Sequence, residues 1–171
     1  MDQNQNEPEA SRPYIPGYGI PETREGMLPW SYVQERLREA QNYWISTSNA
    51  KGKPHATPVW AVWRDDVLYF DGGPDTRRGR DMAQNPFIAV HLEDGSRVVI
   101  LEGMVRELTR PPLDLREYLA KEYARKYSGM GYEPTPETWE NGGLYAFRPN
   151  LVLAWTEFPK DTTRWQFEEE G

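Results

Sequence analysis

The sequence contains no cysteine. Disulfides, iron–sulfur clusters, thiolate zinc sites and a cysteine nucleophile are therefore excluded, and a reducing compartment suits the chain. Histidine is nearly as scarce, with only His55 and His91, too few for a histidine-rich metal site. No apolar run approaches the roughly 20 residues of a membrane-spanning helix, so no membrane partner is expected. Surplus positive charge is lacking as well. The net charge is −7 and the pI about 5.0, which disfavours nucleic-acid binding, since that rests on excess Lys and Arg. The sequence has no Gly-x-Ser-x-Gly elbow, no His-Glu-x-x-His, no phosphate loop ending in Gly-Lys-Ser/Thr and no Gly-x-Gly-x-x-Gly fingerprint. The N-terminus is polar and acidic and does not read as a secretory signal. The expected location is the cytoplasm.

What the chain does have is aromatic residues and proline. Seven Trp, ten Tyr and five Phe suit a core, a subunit interface or a ring-stacking pocket alike. The length of 171 residues fits one domain. Pro8, Pro13, Pro16 and Pro21 rule out a helix or a central strand at the start. Residues 1–28 therefore read as an extended arm, 29–167 as the domain, and 168–171 as an acidic tail. The start of the arm, Asp2–Glu9, is expected to be disordered. The phrase from Tyr14 to Pro21 has apolar side chains suited to covering a pocket.

Pro29-Trp30-Ser31 opens a first helix, with Ser31 and Gln34 at capping-box spacing. Trp30, Val33, Leu37 and Ala40 share one face of it. Strands are expected at 43–48, 54–63 and 67–71, joined by turn residues at 49–52 and 64–66. A short helix runs to about Gln84 and stops before Asn85-Pro86. Further strands are expected at 87–93 and 97–108, the latter with a bulge at Gly103. A helix follows at 113–126, with Leu115, Leu119 and Tyr123 on one face, and then a Gly/Pro-rich loop at 128–142. Strands at 143–148 and 151–157 are separated by a turn at Pro149-Asn150. Many short strands with few helices suggest a small antiparallel barrel, mainly β with flanking helices.

The stretch Asp71-Gly-Gly-Pro-Asp-Thr-Arg-Arg-Gly-Arg-Asp81 organises the functional reading. Gly72-Gly73-Pro74 ends a strand, and Asp75 or Thr76 caps the helix that follows. Arg77, Arg78 and Arg80 then fall beside the positive end of the helix dipole, where cations are out of place. Free N–H groups, the Thr76 hydroxyl and a guanidinium fork make a phosphate site. The alternative is that these arginines pair with Asp71, Asp75, Asp81 or another acidic segment. Side chains for self-sufficient catalysis are few, and no catalytic residue is assigned. A phosphate site beside so little acid–base chemistry suggests that a bound cofactor does the work.

Several phrases in succession resemble the pyridoxamine 5'-phosphate oxidase-like superfamily. They are Asn42-Tyr43-Trp44-Ile45-Ser46-Thr47, Gly52-Lys53-Pro54-His55-Ala56-Thr57-Pro58-Val59-Trp60, Leu68-Tyr69-Phe70, Thr76-Arg77-Arg78-Gly79-Arg80, Asn85-Pro86 and Val98-Val99-Ile100-Leu101-Glu102-Gly103. More narrowly, the chain resembles the flavin and deazaflavin oxidoreductases of the split-barrel fold. Phe158-Pro159-Lys160 and Thr163-Arg164-Trp165-Gln166-Phe167 are similar to the end of members that bind the deazaflavin coenzyme F-420. The resemblance implies a split antiparallel β-barrel with Greek-key-like connections, and a homodimer with cofactor sites at the interface. Thr57, Pro58, Val59 and Trp60 would then lie along the ring, with Phe70 and Asp71 at the ring or ribityl chain. Thr76, Arg77 and Arg78 would hold the phosphate, with Arg80 close by and Arg97 near the ring. Trp155 and Arg164 would close the site from the partner subunit.

The cofactor implied is F-420 or FMN, and the reaction is hydride transfer to or from a small unsaturated or aromatic substrate. The chain departs from the pattern at Asp71, where a neutral hydroxyl residue is usual, and at Asp81, where Asn is common. The Arg-x-His of the true oxidases is absent, which argues against vitamin B6 oxidation. Two alternatives stand beside this reading. One is a non-catalytic haem- or flavin-binding protein of the same fold, with His55 or His91 as axial ligand. The other is an interaction module whose arginines only make ion pairs.

Overall fold

A computed structural model describes residues 7–167. The elements are β1 (Glu9–Ser11), α1 (Trp30–Glu39), β2 (Tyr43–Ser48), β3 (Pro54–Val59), β4 (Ala61–Arg64), β5 (Val67–Asp71), α2 (Arg77–Gln84), β6 (Phe87–His91), β7 (Val98–Leu108), α3 (Leu113–Tyr127), β8 (Leu144–Trp155) and β9 (Thr163–Gln166). Every strand pair is antiparallel. The strands run in the order β1-β9-β8-β7-β6-β2-β3, while β5 joins β4 to β8. Because β4 continues the chain of β3, the ring β3-β2-β6-β7-β8-β5-β4 closes on itself. The expected split barrel is thus present. No described helix is long and apolar enough to cross a membrane.

Alternation along the strands fills the barrel. Tyr43 and Ile45 of β2, Val90 of β6, Val99 and Leu101 of β7, and Phe147, Val152 and Ala154 of β8 point inward and are buried. Trp30, Val33 and Leu37 of α1 close one end against Trp165. A second cluster lies under α3, where Leu119, Tyr123 and Tyr127 pack on Val62, Trp139 and Leu144. Gly103 sits where the β7–β8 register shifts, as its position in the strand predicts. A Cβ there would lie 2.7 Å from Pro149 Cα, so the bulge admits no larger residue. Asp65 and Asp66 have φ of 50° and 57° and form the tight left-handed turn of the β4–β5 hairpin.

Four expectations need correction. Ser31 does not cap α1: Pro29 is the N-cap, and no side chain bonds there. The expected strand at 54–63 is two strands, because Trp60 passes the chain from the β2 ladder to the β5 ladder. Pro149-Asn150 is not a turn. β8 runs through it, and the bulge opposite Gly103 absorbs the proline, which has no N–H to offer a ladder. The start of the arm is ordered sooner than expected, since Glu9 opens β1, which pairs with β9 at the sheet edge and keeps the arm extended. The Arg12 guanidinium pins the arm by donating to the carbonyls of Thr23, Lys160 and Thr162, each at 2.9 Å. Of the residues expected to be disordered, those before Glu7 lie outside the described residues. Glu9 begins β1.

Candidate functional site

The N-terminus of α2 is built as the turn chemistry requires. Thr76 is the N-cap, and its hydroxyl accepts the Gly79 N–H at 3.0 Å and donates to the Gly73 carbonyl at 2.8 Å. Gly79 is buried against the preceding turn, where a Cβ would lie 2.6 Å from the Pro74 oxygen. The cap leaves the N–H groups of Arg77 and Arg78 at the open end of the helix. The helix is anchored by Asp81, which is buried on β2 and accepts the Thr47 hydroxyl at 3.1 Å. This is the structural reason for an acid at that position.

The three arginines do different things. Arg77 is exposed, donates to the Pro54 carbonyl at 3.0 Å and stands 3.9 Å from the Asp81 carboxylate. Arg78 is half-buried. It donates to the Asp71 carbonyl at 3.3 Å and lies over the Phe70 ring at 5.8 Å. Burial lowers its pKa, against Tyr145 and Asp71, yet a guanidinium stays charged. Arg80 donates back to the Asp75 carbonyl. The only carboxylate paired with the cluster is therefore Asp81, through Arg77, and most of the guanidinium donors remain unmatched by anions among the described residues. Asp71 does not oppose an anion here. Its carboxylate accepts the Tyr132 hydroxyl and, at 3.1 Å, the Trp139 indole N–H. Phe70 is fully buried and stacked on Tyr145 at 5.4 Å, and its backbone lies between the β4 and β8 ladders, so it touches no ligand directly and instead shapes the floor under Arg78.

β3 starts at the α2 end, where Pro54 meets Arg77, and finishes at Val59 and Trp60. Six residues of strand give it a length of about 20 Å. β2 occupies one edge, and the topology puts no strand on the other. Thr57 is half-buried, Pro58 exposed and Val59 buried. The Trp60 ring stacks on Tyr127 at 5.0 Å, and a small cleft opens beside it between Asn42, Pro58 and Val59. A second cleft of about 300 Å³ lies at the other end, between the β2–β3 turn and the outside of α2. Asn49, Lys53, Arg77, Arg80, Asp81 and Gln84 line it. Nothing in the sequence pattern assigns Lys53 to this cleft. Asn49 brings it here, because its side-chain oxygen accepts the N–H groups of Lys51 and Lys53 and folds the turn toward α2.

Arg97, Trp155 and Arg164 lie at the opposite end of the same chain. Val98 pairs with Trp155, and Arg164 with Leu153, whereas α2 abuts the Pro54 end of β3. Arg97 is exposed in the turn that Asp94 caps. Trp155 and Arg164 belong to the outward face of the sheet. One row across it reads Trp44, His91, Ile100, Leu153, Arg164. The next row reads Ser46, Ala89, Glu102, Leu151, Gln166, so the face mixes half-buried apolar side chains, Trp155 among them, with polar ones. His91 stacks on Trp44, and its Nδ1 lies 2.8 Å from the Leu92 carbonyl. Since a carbonyl only accepts, Nδ1 carries the proton and Nε2 keeps its lone pair. Among the described residues no group of His, Asp or Glu is arranged to hold a metal ion.

A profile of the family described as "Pyridoxamine 5'-phosphate oxidase" matches residues 31–156. The chain belongs to that family. Solved structures agree on the fold. A protein titled F-420 reductase is 20% identical, with a TM-score of 0.53, covering 76% of this chain and 98% of that one. HutZ, the haem storage protein of Vibrio cholerae, is 14% identical, with a TM-score of 0.55 and coverage of 70% and 88%. A NimC/NimA family protein of Clostridium acetobutylicum is 14% identical, with a TM-score of 0.58 and coverage of 81% and 94%. Comparison with curated protein sequences finds no match. Structures of this fold thus include both a protein named as a reductase and one named as a haem storage protein.

Proposed function

We propose that this protein is a homodimeric oxidoreductase that holds F-420 or FMN between its subunits and exchanges hydride with a small unsaturated or aromatic substrate. One observation carries the reading: a capped helix N-terminus with unmatched guanidinium groups stands at one end of a half-free strand. The strand is long enough for a phosphate at one end and a three-ring system at the other. The residues fit the group. Thr76, Arg77 and Arg78 would hold its phosphate, and the backbone of Thr57, Pro58, Val59 and Trp60 would meet its ring. When bound, the cofactor supplies the hydride chemistry. The protein's part is to orient the ring, neutralise the phosphate and exclude water.

The homodimer rests on the outward face. Trp44, Ile100, Leu151, Leu153 and Trp155 there are half-buried yet outside the core, apolar surface that suits an interface, and a twofold contact pairs the same patch on both copies. Such a contact would carry Trp155 and Arg164 of one chain toward the α2 end of the other, which neither reaches within its own chain. Arg97 lies at the same end and would approach by the same contact. Between the two cofactors, the Lys53–Arg77–Arg80 cleft favours F-420. It continues outward from the phosphate position and suits the acidic tail that F-420 has and FMN lacks.

Equilibrium titrations with FMN, F-420 and haem, followed by tryptophan fluorescence and absorbance, test the reading. Tight F-420 binding that weakens in Lys53→Gln with Arg80→Gln, while FMN binding does not, is the expected result. Haem binding with a Soret band lost in His91→Ala, and no flavin binding, would replace this reading with a haem-binding one. The free Nε2 of His91 is what favours that second reading. Absence of all three would leave an interaction module.

A further inference from the structure

The barrel is interrupted where β3 becomes β4, and three side chains of α3 repair the gap. At Trp60 and Ala61 the chain leaves one ladder before it has fully joined the other. The Tyr123 hydroxyl lies 3.2 Å from the Trp60 carbonyl. The Ala61 N–H donates to the Tyr127 hydroxyl at 3.0 Å. The Lys126 amine donates to the Ala61 carbonyl at 2.9 Å and to the Tyr43 hydroxyl at 2.9 Å. Tyr43 in turn donates to the Leu37 carbonyl of α1. One amine therefore ties α3 to β2, α1 and the break.

This arrangement is unusual for a lysine. Its contacts are a phenol, a carbonyl and two aromatic faces, Tyr43 at 4.9 Å and Tyr127 at 5.2 Å, with no carboxylate of the described residues in salt-bridge reach. A chain that needed only a hydrogen bond there has cheaper donors. Of the two tyrosines at the amine, Tyr127 also stacks on the Trp60 ring at 5.0 Å, and Tyr132 flanks that ring at 5.8 Å.

We propose that Lys126 is a positioning residue for the cofactor ring: its ammonium group holds Trp60 and Ala61 in the conformation that receives the ring, and loss of that charge loosens the seat. The proposal rests on the cofactor reading given above. Charge is what makes the clamp strong, because an ammonium bonds a carbonyl about twice as well as a neutral amine does, and only the ammonium is attracted to the ring faces. The groups that face it are Tyr43 from β2, Tyr127, and Glu122 and Arg125 of its own helix. Burial, followed by Arg125, lowers the Lys126 pKa to about 7, with Glu122 opposing. The clamp consequently weakens across neutral pH.

The test is F-420 affinity of the full chain from pH 6 to 8.5, by cofactor fluorescence, for wild type, Lys126→Arg and Lys126→Met. Comparison with Lys126→Met removes the titration of the cofactor and of both histidines. Wild type should lose several-fold more affinity than Lys126→Met as pH rises through about 7, and Lys126→Arg should lose no more than Lys126→Met. In the protein without cofactor, amide exchange at Ala61, corrected for intrinsic rate, should quicken over the same range in wild type alone. Binding with the same pH profile in wild type and Lys126→Met, or an Ala61 amide indifferent to pH, overturns the proposal and leaves the cofactor reading intact. Failure of wild type to bind either F-420 or FMN at any pH overturns both. Melting temperatures of the two variants show whether each is folded, and Lys126→Arg carries the comparison if Lys126→Met is not.

Discussion

Replacing Asp71 by alanine should cost stability and spare phosphate binding. In the structure the Asp71 carboxylate accepts two donors from the loop that follows α3, the Tyr132 hydroxyl and the Trp139 indole N–H. Trp139 is 1% exposed, so without Asp71 its N–H has neither water nor another acceptor. Leaving such a donor unmatched costs about 1–3 kcal/mol, and a hydrogen bond to a charged group contributes about 1.5–3 kcal/mol. The half-exposed Tyr132 recovers part of its loss from solvent, so a total of about 3 kcal/mol is expected, a large share of the ~5–15 kcal/mol typical of a domain. For a chain of this length that is a fall in Tm of about 6–12 °C.

Burial, and then Asp71, raises the Tyr132 pKa far above the ordinary phenol range, so it remains a donor throughout the pH range of the assay. Urea unfolding of wild type, Asp71→Ala, Tyr132→Phe and the double variant gives the loss and the coupling. A loss below about 1 kcal/mol, or additivity of the two changes, would refute the assignment of Asp71 to the loop. Weaker FMN binding in a folded Asp71→Ala would return it to the cofactor site.

Further expectations follow from other elements. Gly103→Ala drives a methyl into the Pro149 backbone and should destabilise by about 1–3 kcal/mol, read as a lower Tm with the outward face still intact by tryptophan fluorescence. Arg77→Ala with Arg78→Ala should weaken FMN by about 3 kcal/mol, since each lost charged bond costs about 1.5–3 kcal/mol. Riboflavin, which lacks the phosphate, should bind both proteins alike. Burial alone would raise Asp161, but the Thr156 hydroxyl and the N–H groups of Thr156 and Glu157 outweigh it and hold its pKa down. Its contribution is therefore present above the ordinary carboxylate range and lost as pH falls below about 4. Asp161→Asn should be less stable than wild type at pH 7, with the difference closing in acid denaturation near pH 2.

The barrel and the α2 site were legible because their signals are local. Thr76 caps α2 where turn chemistry puts the cap, and Gly103 marks the bulge that its missing side chain permits. What escaped depends on distant partners. Val59–Trp63 reads as one apolar strand because the break at Trp60 is satisfied by tyrosines and a lysine more than 60 residues away. Pro149 looked like a turn residue because its tolerance rests on a glycine in the facing strand. Asp71 looked like an intruder in a phosphate site because the Tyr132 and Trp139 donors come from a loop with no periodicity to read. Lys53 and Arg80 gave no sign of sharing a cleft, since the turn geometry that joins them depends on the Asn49 side chain.

The position of β8 also governs how this chain is made. It borders β5, β7 and β9, and β5 ends at Asp71 while β8 begins at Leu144. On a ribosome adding about 5–20 residues per second, the exposed edge of β5 waits roughly 4–15 s for its neighbour. During that interval it is an open template for pairing with another nascent chain. The segment that follows it at once carries Arg77, Arg78 and Arg80, and charges flanking an open strand discourage such pairing. The residues best placed to bind an anion in the finished protein thus also stand beside an edge that waits while the chain is being built.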